Sequence, residues 1–131
     1  MFEVSVSGWF AAAHQLRLPD GTVEPLHGHN WQVCVRVRGP RPDASGMLTD
    51  FVALKRRLDG LLAELHDRNL NDQPMFERRN PSAEHVAEYV ARRLADAAGP
   101  AVRLHCVEIE EAPGCIARYY PASAVGADAK S

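Results

Sequence analysis

The chain has 131 residues, of which 46% are hydrophobic and 24% charged, the size and balance of one globular domain. Lysine and arginine total 15, aspartate and glutamate total 17, and the net charge is -2. No segment concentrates enough basic charge to follow a phosphate backbone, which argues against nucleic acid as a partner. Charges interrupt every apolar run before the roughly 20 residues that a membrane-spanning helix needs. We therefore expect no membrane segment.

The cysteines and the N-terminus indicate where the protein works. Cys34, Cys106 and Cys115 form no C-x-x-C pair, and their odd number does not fit the disulfide framework of a small secreted domain. The first ten residues alternate in polarity and do not show a basic region followed by an apolar one. Both observations favour a reducing, cytoplasmic location.

Two segments in the first third of the chain have the alternating polarity of half-buried strands. The first is Phe2 to Phe10, and the second runs from about Asn30 to Arg38, where apolar and polar residues also alternate. Turn residues follow the second segment, and the sequence LPDGTVEPL between the two is rich in loop-forming residues. The pattern predicts two strands joined by a loop.

The period then becomes helical. A leucine-rich stripe begins after Thr49 or Asp50, either of which is a suitable N-cap. A second helix is predicted to begin near Pro81 or Ser82 and to end at residues 99–100, where Gly and Pro stop it. Two further strands are predicted at residues 102–111 and 115–120.

The order strand, strand, helix, helix, strand, strand predicts an α+β domain over residues 1–121. Because no single helix connects two neighbouring strands, we expect a four-stranded antiparallel sheet with both helices on one face. The open edges of such a sheet favour oligomerisation. Residues 122–131 are small and polar, and we expect this tail to be disordered.

Three histidines are candidates for a metal site. His27 and His29 are two residues apart at the start of the second strand, so their side chains project to the same face. His14 follows the first strand, whose end lies near the start of the second if the two pair antiparallel. Three imidazoles with an open fourth position are typical of catalytic zinc. Alternatively, each histidine is an ordinary hydrogen-bonded polar residue, since H-x-H is a weak signal by itself.

A set of ordered motifs resembles one enzyme family across residues 3 to 120. The motifs are FAAAHQL (10–16), HGHNW (27–31), GMLTDF (46–51), LNDQP (70–74), NPSAEHVA (80–87) and Glu110-Glu111-Ala112-Pro113. They resemble those of the 6-pyruvoyltetrahydropterin synthase and 6-carboxytetrahydropterin synthase family. The resemblance implies a tunnelling fold, in which protomers join into a closed β-barrel, commonly a trimer stacked into a hexamer.

The resemblance also implies ligands and residue roles. It implies that His14, His27 and His29 bind Zn²⁺ and that Glu111 holds the amino and ring N–H groups of the pterin. The implied substrate is 7,8-dihydroneopterin triphosphate, a reduced pterin whose C6 side chain is processed at the zinc. Ala112 replaces the threonine that follows this glutamate in the family.

The loop before the H-x-H motif departs from the family's usual pattern. The usual catalytic cysteine, four or six residues before H-G-H, is replaced by Val23 and other loop residues. Glu24 instead matches the E-x-x-H-G-H variant, for which the resemblance implies a glutamate base and the product 6-hydroxymethyl-7,8-dihydropterin. A partly buried carboxylate beside zinc is a reasonable general base. Alternatively, Glu24 is a solvated loop residue.

A second departure concerns the proposed proton relay. The family has Asp-His where this chain has His66-Asp67, so the order is reversed. Adjacent residues at a helix end point in different directions, and His66 reaches the site only if that end is rebuilt. The alternative, given equal weight, is that His66 caps the helix and Asp67 is solvated.

The resemblance and the departures from it are compatible with three functions. The leading hypothesis is a zinc-dependent lyase acting on the C6 side chain of a reduced pterin. The second is a family member redirected to another substrate in specialised metabolism, which would explain why several family residues differ together. The third is a pterin-binding or zinc-binding protein without catalytic activity.

Overall fold

The computed structural model describes residues 1–122, which form a single sheet covered by helices. Two short 3₁₀ turns, Leu70–Asp72 and Pro74–Phe76, connect the middle elements. In chain order the strands and α-helices are β1 (Phe2–His14), β2 (His27–Gly39), α1 (Phe51–Leu65), β3 (Arg68–Asn69), α2 (Ala83–Arg93), β4 (Arg103–Ala112) and β5 (Cys115–Tyr119).

The sheet has the strand order β3-β1-β2-β4-β5 and is mixed. Strands β1, β2, β4 and β5 pair antiparallel, as expected. The prediction of a purely antiparallel four-stranded sheet is wrong, because β3 adds a fifth strand that pairs parallel with β1 at Ala12 and Ala13. A two-residue strand is too short to show alternating polarity, so sequence patterning could not reveal it.

Several element ends differ from the sequence prediction. Strand β1 continues to His14, and β2 already begins at His27, so both histidines lie within strands. Helix α1 begins after Asp50, whose carboxylate accepts hydrogen bonds from the N–H groups of Val52 and Ala53. Helix α2 begins after Ser82 and ends at Arg93, earlier than predicted, with turns continuing toward Gly99.

Two of the remaining expectations concern the membrane and the tail. The helices found within residues 1–122 are too short and too polar to cross a bilayer. Apart from Ala122, the tail predicted to be disordered lies outside the described residues.

Both helices pack on one face of the sheet around a single core. The strands contribute their inward-facing residues, among which Phe10 and Trp31 stack with ring centroids 5.6 Å apart and planes 5° from parallel. Helix α1 contributes a buried leucine stripe, and α2 contributes Val86 and Val90. The pair Phe10–Trp31 lies two positions along the register from the pair Ala12–His29, and the Trp31 ring packs edge-to-face against His14 with centroids 4.8 Å apart.

Candidate active site

The pairing of β1 with β2 positions the three histidines. In this register His14 is opposite His27, and Ala12 is opposite His29. Directly opposite residues project to the same face of a sheet, so all three imidazoles point toward the helix side. Their nearest ring nitrogens lie within 4.8 Å of one another. The structure therefore brings His14, His27 and His29 together at one end of the sheet.

Backbone carbonyls orient two of these rings. The Nδ1 atom of His14 is 2.8 Å from the carbonyl oxygen of Pro81, and Nδ1 of His27 is 2.8 Å from that of Pro25. A carbonyl only accepts hydrogen bonds, so each Nδ1 carries the proton and each Nε2 presents a lone pair. The two Nε2 atoms face each other at 3.1 Å. This is the tautomer and orientation in which histidine binds metals.

The environment of His29, the third histidine, bears on whether a metal ion fits the site. Nε2 of His29 is buried and has no hydrogen-bond partner among residues 1–122. Burial lowers the pKa of His29, which favours the neutral imidazole that metal binding requires. Three converging imidazole nitrogens, one of them buried and unpaired, fit a metal ion such as Zn²⁺.

Glu24 lies beside this cluster in the loop between β1 and β2. Its Oε1 atom is 4.0 Å from Nε2 of His27 and accepts a 3.0 Å hydrogen bond from the backbone N–H of Leu16. The side chain is 29% exposed, so it is neither fully solvated nor sealed from substrate. The structure thus holds a carboxylate next to the Nε2 atom that His27 directs toward the histidine cluster.

Glu111 approaches the same cluster from β4. A β-bulge between Glu110 and Ala112 shifts the register with β5, and Oε1 of Glu111 is 3.2 Å from Nε2 of His14. Bulges commonly re-aim side chains near active sites. The side chain is 28% exposed and lines a cleft between the start of α2 and strand β5, where Glu84 and Cys115 also lie.

His66 and Asp67 lie near a different edge of the sheet. Nδ1 of His66 accepts a 3.0 Å hydrogen bond from the backbone N–H of Ala11, and its Nε2 is 3.5 Å from Oδ2 of Asp67. Asp67 has a φ of 59°, uncommon for a residue other than glycine. It lines a cleft whose wall also includes His29. His66 thus anchors β1, while Asp67 lies on a surface shared with the histidine strand.

The segment that joins His14 to the Glu24 loop is held by side chains that sequence reasoning did not single out. Asn71 exchanges two hydrogen bonds with the backbone of Gln15, both 2.9 Å long. Asn80 does the same with the backbone of Arg17, again at 2.9 Å. Asn71 belongs to the motif LNDQP and Asn80 to the motif NPSAEHVA, but the sequence alone predicts no role for either asparagine.

Comparison with known proteins identifies the family. A profile described as 6-pyruvoyl tetrahydropterin synthase matches residues 3–122. The chain belongs to the 6-pyruvoyl tetrahydropterin synthase family. The match spans the histidine cluster, Glu24 and Glu111, so the whole site described above lies within the family domain.

Three relatives illustrate the family's range. The chain is 36% identical over 116 residues to a 6-carboxy-5,6,7,8-tetrahydropterin synthase of Synechocystis, covering 85% of this chain and 87% of the relative. It is 35% identical over 85 residues to a dihydroneopterin monophosphate aldolase of Pyrococcus furiosus, covering 65% and 68%. The structure of the Caenorhabditis elegans 6-pyruvoyl tetrahydropterin synthase superposes with a TM-score of 0.79 at 27% identity, covering 92% and 96%. These relatives support a pterin-processing enzyme.

Proposed function

We propose that this protein is a zinc-dependent lyase that cleaves the C6 side chain of 7,8-dihydroneopterin triphosphate and releases 6-hydroxymethyl-7,8-dihydropterin. The observation that carries this proposal is the position of Glu24, whose carboxylate lies 4.0 Å from the metal-facing nitrogen of His27. No cysteine occupies this loop. The Pyrococcus furiosus relative, a dihydroneopterin monophosphate aldolase, supports cleavage of this kind of side chain.

The three histidines would hold the metal. His14 and His27 present Nε2 with the tautomer fixed by a carbonyl behind each ring, and His29 presents a buried Nε2 that has no hydrogen-bond partner among the described residues. When bound, zinc supplies a Lewis acid that lowers the pKa of a side-chain hydroxyl of the substrate. Three protein ligands leave a position for that hydroxyl.

Glu24 would act as the general base. In an aldol-type cleavage the base removes the proton of the 2′-hydroxyl, the C1′–C2′ bond breaks, and C2′ becomes the carbonyl carbon of an aldehyde. The electron pair passes into the C6–N5 imine of the dihydropterin, and a proton is then delivered to C1′. The atoms balance as 6-hydroxymethyl-7,8-dihydropterin plus a phosphorylated glycolaldehyde. A carboxylate has about four lone-pair sites, so the single hydrogen bond from Leu16 N–H to Oε1 leaves Glu24 able to accept the proton of the substrate.

Glu111 would bind the pterin ring. A carboxylate can accept two N–H hydrogen bonds from an aminopyrimidine edge at once, which fixes the orientation of the ring. Its carboxylate is within 3.2 Å of His14, so a pterin held there would direct its C6 side chain toward the histidines. Ala112, next in β4, offers no hydroxyl to this pocket.

His66 and Asp67 would have different roles in this scheme. His66 accepts from Ala11 N–H through Nδ1, so the neutral ring carries its proton on Nε2, on the side of Asp67. Asp67 lines the cleft that reaches His29. We propose that this pair transfers a proton to or from C1′ of the substrate.

We also propose that the protein works as a homo-oligomer, a trimer or a hexamer. Strand β3 pairs only with the end of β1, so within residues 1–122 most of one β1 edge has no strand partner. Strand β5 forms the other edge of the sheet. Two open edges of antiparallel strands support closure of the sheets of several copies into a barrel.

Product identification tests the proposal. The zinc-loaded protein is incubated with 7,8-dihydroneopterin triphosphate and, separately, with the monophosphate, and the products are identified by mass spectrometry. We expect 6-hydroxymethyl-7,8-dihydropterin together with the phosphorylated aldehyde. A pyruvoyl or carboxy product would overturn the proposed bond cleavage. Absence of any product from protein with a full zinc complement would favour a redirected enzyme or a binding protein.

A further inference from the structure

The three residues after His14 lie outside the named strands, apart from an isolated bridge of Arg17 with Val23, and all their backbone polar groups are hydrogen-bonded. Asn71 accepts from Gln15 N–H and donates to Gln15 C=O, with both bonds 2.9 Å long. Asn80 makes the same two bonds with Arg17, also at 2.9 Å. Each amide side chain thus replaces a neighbouring strand for one residue.

The residue between them, Leu16, is paired with Glu24. Leu16 N–H donates to Oε1 of Glu24 at 3.0 Å, and Leu16 C=O accepts from the backbone N–H of Glu24 at 3.0 Å. In an extended segment, alternate residues direct their N–H and C=O groups to opposite sides. The two asparagines therefore hold one side of the segment, and Glu24 is held by the other.

The asparagines also connect this segment to the metal-binding residues. His14 directly precedes Gln15, and Pro81, which directly follows Asn80, accepts the Nδ1–H of His14. Asn80 additionally accepts from Nε of Arg17 at 3.2 Å, while the Arg17 guanidinium donates to the carbonyls of Phe76 and Glu77. One short stretch of chain thus joins a metal-facing histidine to the carboxylate beside it.

We propose that Asn71 and Asn80 are positioning residues that act on Glu24 through the segment Gln15–Arg17. They hold Leu16 N–H where it fixes Oε1 of Glu24, and so they set the distance between the base and the histidine cluster. Neither asparagine touches the reacting atoms. This inference rests on the proposed function, in which Glu24 is the base.

A double-mutant cycle tests the inference. Asn80→Asp keeps the acceptor oxygen but replaces the N–H donor with an oxygen that repels the Arg17 carbonyl. We expect kcat on the dihydroneopterin substrate to fall on the order of 10- to 100-fold, because misplacement of a catalytic group by about 1 Å has this effect. We expect KM and the zinc content to remain unchanged. In a Glu24→Gln background the same substitution should change the residual rate less than about twofold, because the group it positions is already gone.

A merely structural role gives a different result. If Asn80 only stabilised the loop, its substitution would lower kcat by the same factor in both backgrounds, and that outcome would overturn the inference. Asn71→Asp repeats the cycle from the other asparagine and keeps the test open if Asn80→Asp does not fold. Gln73→Glu is the matched control, an amide-to-acid change in the same region at a residue whose side chain makes no capping hydrogen bond to the 3₁₀ turn Pro74–Phe76. It should leave kcat unchanged.

The cycle separates two kinds of failure. If Glu24→Gln retains the wild-type rate, Glu24 is not the base, and the proposed function fails together with this inference. If Glu24→Gln loses activity while folded Asn71→Asp and Asn80→Asp keep the wild-type kcat, the proposed function survives and the positioning role is refuted.

Discussion

The Nε2 atoms of His14 and His27 lie 3.1 Å apart, each on a ring anchored through Nδ1 to a backbone carbonyl. Zinc–nitrogen bonds of about 2.0–2.1 Å at a tetrahedral angle separate two ligand nitrogens by about 3.3 Å. The observed spacing is close to that value. The two rings are therefore spaced so that they could bind one ion with little rearrangement, as the proposed function requires.

Replacement of His29 by alanine is expected to abolish tight zinc binding, because it removes a proposed ligand nitrogen that is buried and has no hydrogen-bond partner within residues 1–122. Metal content after dialysis, measured by mass spectrometry, should fall from about one equivalent to near zero. Added zinc should raise the melting temperature of the wild type but not that of the variant. His66→Gln serves as the control, since Gln can still accept from Ala11 N–H and zinc should be retained. A His29→Ala protein that keeps one equivalent of zinc would refute the three-histidine site.

Glu24→Gln should keep the fold and the zinc but lower kcat by about 10² to 10⁴, the usual contribution of a general base. The amide oxygen of glutamine can still accept from Leu16 N–H, so the loop should hold its shape. Steady-state kinetics and metal analysis on the same preparation measure both effects. Unchanged turnover in the variant would remove Glu24 from the mechanism.

Glu111→Ala should weaken pterin binding by on the order of 10-fold or more without releasing zinc, because a charge-assisted hydrogen bond to the ring is lost. Titration calorimetry with a non-reactive reduced pterin measures this directly. Glu110→Gln is the neighbouring control, since the Glu110 carboxylate accepts a 3.1 Å hydrogen bond from the backbone N–H of Gly114, which the glutamine oxygen can still accept. Equal affinity in Glu111→Ala and wild type would indicate a different ligand.

Two glycines should respond to alanine in opposite directions. A Cβ atom at Gly39 would lie 2.7 Å from Cγ1 of Val102 and 3.3 Å from the carbonyl oxygen of Ala101. We expect Gly39→Ala to lower the free energy of unfolding by about 1–3 kcal/mol. Gly60 lies within α1, and no atom of residues 1–122 outside its own helix turn lies inside 4 Å of the added atom. Gly60→Ala should therefore raise that free energy by about 0.5–1 kcal/mol. Chemical denaturation measures both, and stabilisation by Gly39→Ala would contradict the packing described here.

Glu88 should contribute to stability at neutral pH but not in acid. The hydrogen bond from Arg79, at 2.6 Å, lowers the pKa of this carboxyl below its ordinary 4.5, and Arg92 donates to it at 2.8 Å. A carboxyl whose pKa is lower in the folded state stabilises the fold above its unfolded pKa, and this stabilisation is lost as the pH falls through the folded pKa. Glu88→Gln should therefore reduce the free energy of unfolding by up to about 1 kcal/mol at pH 7 and have little effect at low pH. Glu77→Gln is the control. An equal loss of unfolding free energy in Glu88→Gln at both pH values would contradict the prediction.

Much of the fold could be predicted because the long elements have clear periods. The alternation through Phe2 to Phe10 and the leucine stripe of α1 each extend over enough residues to separate strand from helix. Strand β3 could not be predicted, since two residues show no period. The early end of α2 at Arg93 was missed because apolar residues such as Leu94 and Ala97 continue the stripe although the backbone has left the helix.

Some features of the candidate site could also be predicted from the sequence, and others could not. The convergence of the three histidines follows from strand periodicity and antiparallel pairing, both of which can be inferred from sequence. The hydrogen bonds of Asn71 and Asn80 could not be inferred from the sequence, because they join residues more than 50 positions apart through side-chain amides. The bulge that directs Glu111 toward His14 depends on a register shift between β4 and β5, which leaves no periodic signal.

An isolated antiparallel bridge between Arg17 and Val23 closes the loop that precedes Glu24. The residues beyond the bridge, 18–22, fold on themselves through hydrogen bonds between Leu18, Gly21 and Thr22. The tip of this loop is therefore held by its own hydrogen bonds, separately from Glu24. Residues could be inserted or exchanged there while Glu24 and the three histidines keep their spacing. The tip could therefore vary in length and in sequence without changing the proposed catalytic site.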